Sequence, residues 1–198
     1  MAKFFGNLGG VIGASSVLLL LVIFAFHSGS DAPTYMNALF RFFHVLFGIM
    51  WIGLLYYFNF VQIPTMPSVP AELKPGVSKY IAPAALFWFR WAALATVVMG
   101  LIVASHPPQG LQSYLIPALT FQPGLRLIGL GMWLGLIMAF NVWFVIWPNQ
   151  KKALGLVEAD ADTKAKAATT AMMFSRTNTL LSMPMLYCMV MQGLIGGS

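Results

Sequence analysis

The residues best suited to chemistry lie along one helix-length apolar stretch, RFFHVLFGIMWIGLLYYFNFVQ, from Arg41 to Gln62. Arg41, His44, Gly48, Trp51, Leu55, Asn59 and Gln62 recur at steps of three and four, so on an α-helix they share one face. A cationic side chain in hydrocarbon costs roughly 3 kcal/mol or more, so that face is expected to look into a protein interior. The His44 imidazole there suits two roles, an axial ligand of haem iron with Trp51 beside it, or a donor to a neighbouring helix carbonyl. A bis-His haem would need His27 or His106, both at expected loop edges, to fold inward.

A second polar group falls at the depth of Asn59 and Gln62. It comprises Arg90, Asn141, Ser175, Arg176 and Asn178, with Trp88, Trp91 and Trp143 nearby. Forked guanidinium donors, amides and indole faces are the chemistry that holds a planar, anionic, hydrogen-bonding molecule. The competing reading has Arg90 snorkelling to an interface, the asparagines bonding between helices, and the tryptophans lining the headgroup region.

The elements that must position these groups are membrane helices. Hydrophobic residues make up 59% of the 198 residues, charged ones 8%, and mean hydropathy is +0.80. Soluble chains carry about 25% charge, so the expected class is an all-α integral membrane bundle in contact with the lipid bilayer. The net charge of +6 comes from basic residues between apolar runs, which argues for topology and against a nucleic-acid partner. Five transmembrane spans are expected, at about 8–26, 38–62, 81–104, 125–147 and 177–195. The first reads as a retained anchor.

Pro64, Pro67, Pro70 and Pro75 are expected to end the second span. The connection from Ser105 to Pro123 is expected not to cross the membrane, and residues 149–170 form a charged segment with a short solvated helix. Gly131 and Gly135 form a small-xxx-small pair that would let a neighbouring helix approach. With the N-terminus in the cytoplasm, all seven lysines fall on the inner side. Asp31, Glu72, Glu158, Asp160 and Asp162 all lie outside the spans, which disfavours a carboxylate-based proton carrier or hydrolase. Cys188 is the single cysteine, so no intrachain disulfide forms.

Four stretches, HVLFGIMWIGLLYYF at His44 to Phe58, FWFRW at Phe87 to Trp91, NVWFVIWPNQKK at Asn141 to Lys152 and SRTNTLLSMPMLYCMV at Ser175 to Val190, together resemble the membrane domain of bacterial urate oxidases. In that family a multi-helix membrane domain usually precedes a cytochrome c domain. The resemblance implies an inner-membrane oxidoreductase in which urate or a related heterocycle is oxidised and electrons leave toward a cytochrome c. It implies His44, Arg90, Arg176 and Asn178 as catalytic candidates. Arg90, Trp91, Asn141 and Asn178 would hold substrate, and His44 with Trp51 would serve a haem b. Gly48, Gly53, Trp88, Pro148, Asn149, Gln150, Ser175 and Pro184 are carried over with them.

The chain departs from the family pattern in carrying Thr177 where a histidine stands between Arg and Asn. It also reads MQGL at Met191 to Leu194 where a further histidine-containing piece is expected, and has no CxxCH. These departures suggest a stand-alone domain and leave open a second role, a non-catalytic accessory subunit of a larger membrane redox or energy-converting complex.

Overall fold

Apolar stretches of this length become helices because lipid offers a backbone amide no partner outside its own helix. The computed structural model describes residues 1–108 and 110–195; Gln109, within the expected connection, and the last three residues lie outside that description. Helix α1, Leu8–His27, starts at Asn7, whose side chain accepts from the Gly10 amide. Helix α2, Ala32–Ser68, starts at Asp31, which accepts from the Thr34 amide at 3.0 Å. Helix α3 runs Lys74–Ser105, and the short α4 runs Leu115–Leu119. Helix α5 is Arg126–Ala153, and α6, Ala161–Ile195, is capped by Asp160 through the Thr163 amide at 2.8 Å. Among the described residues α1, α2, α3, α5 and α6 are long and apolar enough to cross a membrane, and no strand is present.

The helices outrun their expected ends, and the reason is local. Pro64 was expected to help end α2, and the fourth span was expected to end at 147, just before Pro148, yet both helices pass through these prolines, and α3 passes through Pro83. In each case a π-helical turn precedes the proline: Tyr57–Gln62, Val77–Ile81 and Asn141–Ile146. The residue just before each proline donates its amide five residues back, Ile63 to Phe58, Ala82 to Val77 and Trp147 to Val142. The widened turn takes up the carbonyls that a proline, lacking an N–H and crowding the previous turn, would leave unmet. Helix α6 likewise absorbs the later part of the charged segment, running unbroken for 35 residues from Ala161, while α5 takes in its start to Ala153. At 1.5 Å per residue that is roughly 50 Å, longer than a hydrocarbon core of about 30 Å, so its charged first turns stand outside it.

Four helices close into a ring. α2 packs along α3, α5 along α6, α3 meets α5, and α6 returns to α2. The interior is filled by Trp51, Leu55 and Phe58 of α2, Leu86 and Phe89 of α3, and Met138, Val142 and Ile146 of α5. Small residues set the closest approaches. A Cβ on Gly100 would stand 2.8 Å from His44 Cε1, and one on Gly131 would stand 2.8 Å from Cys188 Cβ. Gly135, the other half of the small-xxx-small pair, has no such neighbour within 4 Å. α4 lies against α5, where the Ala118 carbonyl occupies the space a Cβ on Gly129 would need. Trp133 Nε1 donates to the Leu119 carbonyl at 3.0 Å and secures that contact. α1 has no buried residue.

Candidate functional site

The polar face of α2 does look into the ring. Trp51 is 1% exposed, Leu55 fully buried and Asn59 8% exposed, while His44 and Gln62 are half-buried and Arg41 is exposed. Two of the three π turns deliver asparagines from this ring to α6. Asn59 Nδ2 donates to Ser175 Oγ at 2.8 Å and to the Leu55 carbonyl at 2.9 Å. Asn141 Nδ2 donates to Asn178 Oδ1 at 2.9 Å, and Asn178 Nδ2 donates to the Met138 carbonyl, also at 2.9 Å. One turn further along α6, Ser182 Oγ lies 2.9 Å from the Tyr56 hydroxyl. All these groups would cost free energy if left unpaired in lipid, so the stripe Ser175, Asn178 and Ser182 ties α6 to two helices.

The cationic candidates lie elsewhere. The Arg90 guanidinium stacks on the Trp147 ring, 3.8 Å from its centroid, with Phe87 at 5.5 Å. The Trp143 indole donates to the Arg90 carbonyl at 3.1 Å, and Trp91 meets Trp143 edge-on. Trp88 and Trp91 are exposed at the surface where lipid would be. Arg176 is exposed on α6 while its neighbour Ser175 is buried, so the fold brings Asn141 to Asn178 but not Arg90 and Arg176 to them.

His44 Nδ1 lies 2.7 Å from the Thr96 carbonyl oxygen of α3. A carbonyl only accepts, so Nδ1 carries a proton, and in the neutral imidazole this leaves Nε2 with its lone pair, the state an axial ligand requires. The ring, however, is pressed against Gly100, and neither cavity described below includes it. His27 and His106 are exposed, the former beside Tyr35, and among the described residues no three His, Cys, Asp or Glu side chains gather. These contacts join α2 to α3. On the same face the Trp51 indole N–H is buried without an acceptor among the described residues.

A cavity of about 150 Å³ opens where the ends of α2 and α5 meet the starts of α3 and α6, among Phe58, Gln62, Leu86, Gln150, Ala171 and Ser175. Gln62 and Gln150 line it, and their side-chain oxygens, like Asn59 Oδ1 outside the lining, are buried without a donor among the described residues. Gln62 stands two residues before Pro64 and Gln150 two after Pro148. That shared spacing from a helix-interrupting proline is the sequence signal that could have paired them. A second cavity, among Gly155, Val157, Glu158, Asp160 and Lys164, is a wide solvent-facing hollow before α6.

A ring of apolar helices with a buried amide pair and a partly polar end cavity defines a multi-pass α-helical membrane protein. Over residues 109–193, somewhat less than half of the chain, the sequence matches the family model described as urate oxidase N-terminal. The match contains the Asn141 to Lys152 and Ser175 to Val190 stretches; those at His44 to Phe58 and Phe87 to Trp91 lie before it. No curated protein and no solved structure matches the chain.

Proposed function

We propose that this chain is the membrane-embedded, substrate-binding part of a urate-oxidase-type oxidoreductase, taking up urate or a related heterocycle and passing electrons to a separate cytochrome c. The observation that carries this reading is the end cavity, whose lining carries the side chains of Gln62, Gln150 and Ser175. Amides and a hydroxyl together offer donors and acceptors to a ring bearing N–H and C=O groups. The cavity lies at the end that carries Lys74, Lys79, Lys151 and Lys152, and the lysine bias supports reading that end as the cytoplasmic side. Asn141 and Asn178 brace the wall behind it. Arg90 and Trp91 flank it on the α3 side, while Arg176 stands exposed outside the ring and takes no part in the cavity. His44 serves as a helix-joining group at the opposite end, and no haem role is assigned to it.

The test is urate loss in the ultraviolet, coupled to reduction of added cytochrome c, with protein reconstituted in nanodiscs. Two electrons should appear per urate, and Gln62→Leu should abolish them. The second reading, a non-catalytic accessory subunit, is favoured by the separation of Arg90 from Arg176. It predicts no turnover and a stoichiometric membrane partner on gentle purification.

A further inference from the structure

Ser175 lines the end cavity and is 5% exposed, and its hydroxyl is bonded unlike the others along α6. Thr169, Thr170, Thr177, Thr179 and Ser182 each donate to a carbonyl of their own helix, three or four residues back. For Ser175 that carbonyl would be the one of Ala171, but its Oγ accepts from Asn59 Nδ2 at 2.8 Å instead. The Asn59 amide is fixed this way round, because the same nitrogen donates to the Leu55 carbonyl at 2.9 Å and a carbonyl only accepts.

Ser175 Oγ is therefore the acceptor of its pair with Asn59, and its own O–H is left without an acceptor among the described residues. A buried hydroxyl proton in that position has given up water and gained nothing in return, so it marks where an accepting atom is missing. The space beside this residue is the cavity.

We infer that Ser175 is a specificity-determining residue of the end cavity, donating its hydroxyl to a ring oxygen of the bound heterocycle. Asn59, outside the lining, is a positioning residue that holds this hydroxyl off its own helix. Without Asn59 the hydroxyl would be free to bond back to the Ala171 carbonyl, as serines and threonines in helices do. The ligand class is a ring that carries carbonyl oxygens, and its deprotonated form gains most, since hydrogen bonds to charged acceptors are the stronger kind. This rests on reading the cavity as the substrate site, but not on turnover.

Calorimetry on the whole protein in nanodiscs, without cytochrome c, compares urate with purine, the same fused ring lacking the oxygens. Urate should bind at one saturable site, and purine more weakly by about tenfold or more. Ser175→Ala should weaken urate about tenfold and leave any purine binding as it was. Asn59→Leu should weaken urate severalfold in the unaltered protein but not in the Ser175→Ala background, which has no hydroxyl to hold; an asparagine with a structural role alone would act alike in both. Urate at unaltered affinity in folded Ser175→Ala, or purine bound as tightly as urate, would overturn the assignment, and equal losses from Asn59→Leu in the two backgrounds would overturn the role of Asn59. If Ser175→Ala does not elute as the unaltered protein does, urate against purine decides. Urate binding that depends on Ser175, with no cytochrome c reduction by the unaltered protein, would remove the oxidation reading and keep this one. Turnover with unaltered urate affinity in Ser175→Ala would do the reverse.

Discussion

His44 Nδ1 and the Thr96 carbonyl oxygen stand 2.7 Å apart, and the imidazole lies in the space that the missing side chain of Gly100 leaves open. One histidine therefore couples α2 to α3 by a hydrogen bond and by a close approach. Gly100→Ala should lower stability by about 1–3 kcal/mol through overpacking. His44→Ala should cost about 1 kcal/mol. The double variant should be more stable than the sum predicts, because the new methyl then meets no ring. Thermal unfolding in detergent measures all three, and strict additivity would show that the two sites do not touch.

Asn178 is fully buried and bonded to Asn141 and to the Met138 carbonyl. Asn178→Leu removes both bonds, and should cost about 1–3 kcal/mol by stranding the Asn141 amide. Asn141→Leu alone should cost less, since Asn178 keeps its bond to Met138. The double variant should cost no more than Asn178→Leu. A pronounced excess in the double variant would mean that the two asparagines act separately.

The π turn Asn141–Ile146 exists because Pro148 follows it. Pro148→Ala restores an N–H and should let the turn tighten toward α-helical spacing, rotating Asn141 away from α6. The coupling between Asn141 and Asn178, measured by double-variant cycles, should then fall toward zero. Unchanged coupling in the alanine background would assign the turn to packing and not to the proline.

Asp160 accepts from the backbone amide and hydroxyl of Thr163 at the start of α6, and these bonds hold its carboxyl below the ordinary value of 3.8. A carboxyl with a lowered folded value stabilises the helix start above about pH 4, and that support is lost as pH falls through the lowered value. Hydrogen exchange at the Thr163 amide should accelerate, relative to its intrinsic acid-range rate, as the medium is acidified. Asp160→Asn retains a capping oxygen and should flatten this dependence. A pH-independent protection factor in the unaltered protein would exclude the cap as its source.

The number of spans, the helical class and the polar face of α2 were legible in the sequence, because a bilayer demands long charge-poor runs and a helix repeats its faces at steps of three and four. Which helices meet was not legible. Lipid is as apolar as leucine, so hydrophobicity does not mark the side of a membrane helix that faces protein. Arg176 and Ser175 are adjacent in a span-length run, yet one is exposed and the other buried in the ring.

Prolines 64 and 148 were legible as interruptions, but only the tertiary structure decided that they widen a turn instead of ending a helix. The surrounding ring holds the chain in register across the break, and α6 supplies partners for the asparagines that the widened turns present. The same packing brings Gln62 and Gln150 to one cavity from helices far apart in the chain. Composition thus determined the solvent this protein lives in, and contacts between distant helices determined where its unmet hydrogen-bonding capacity collects.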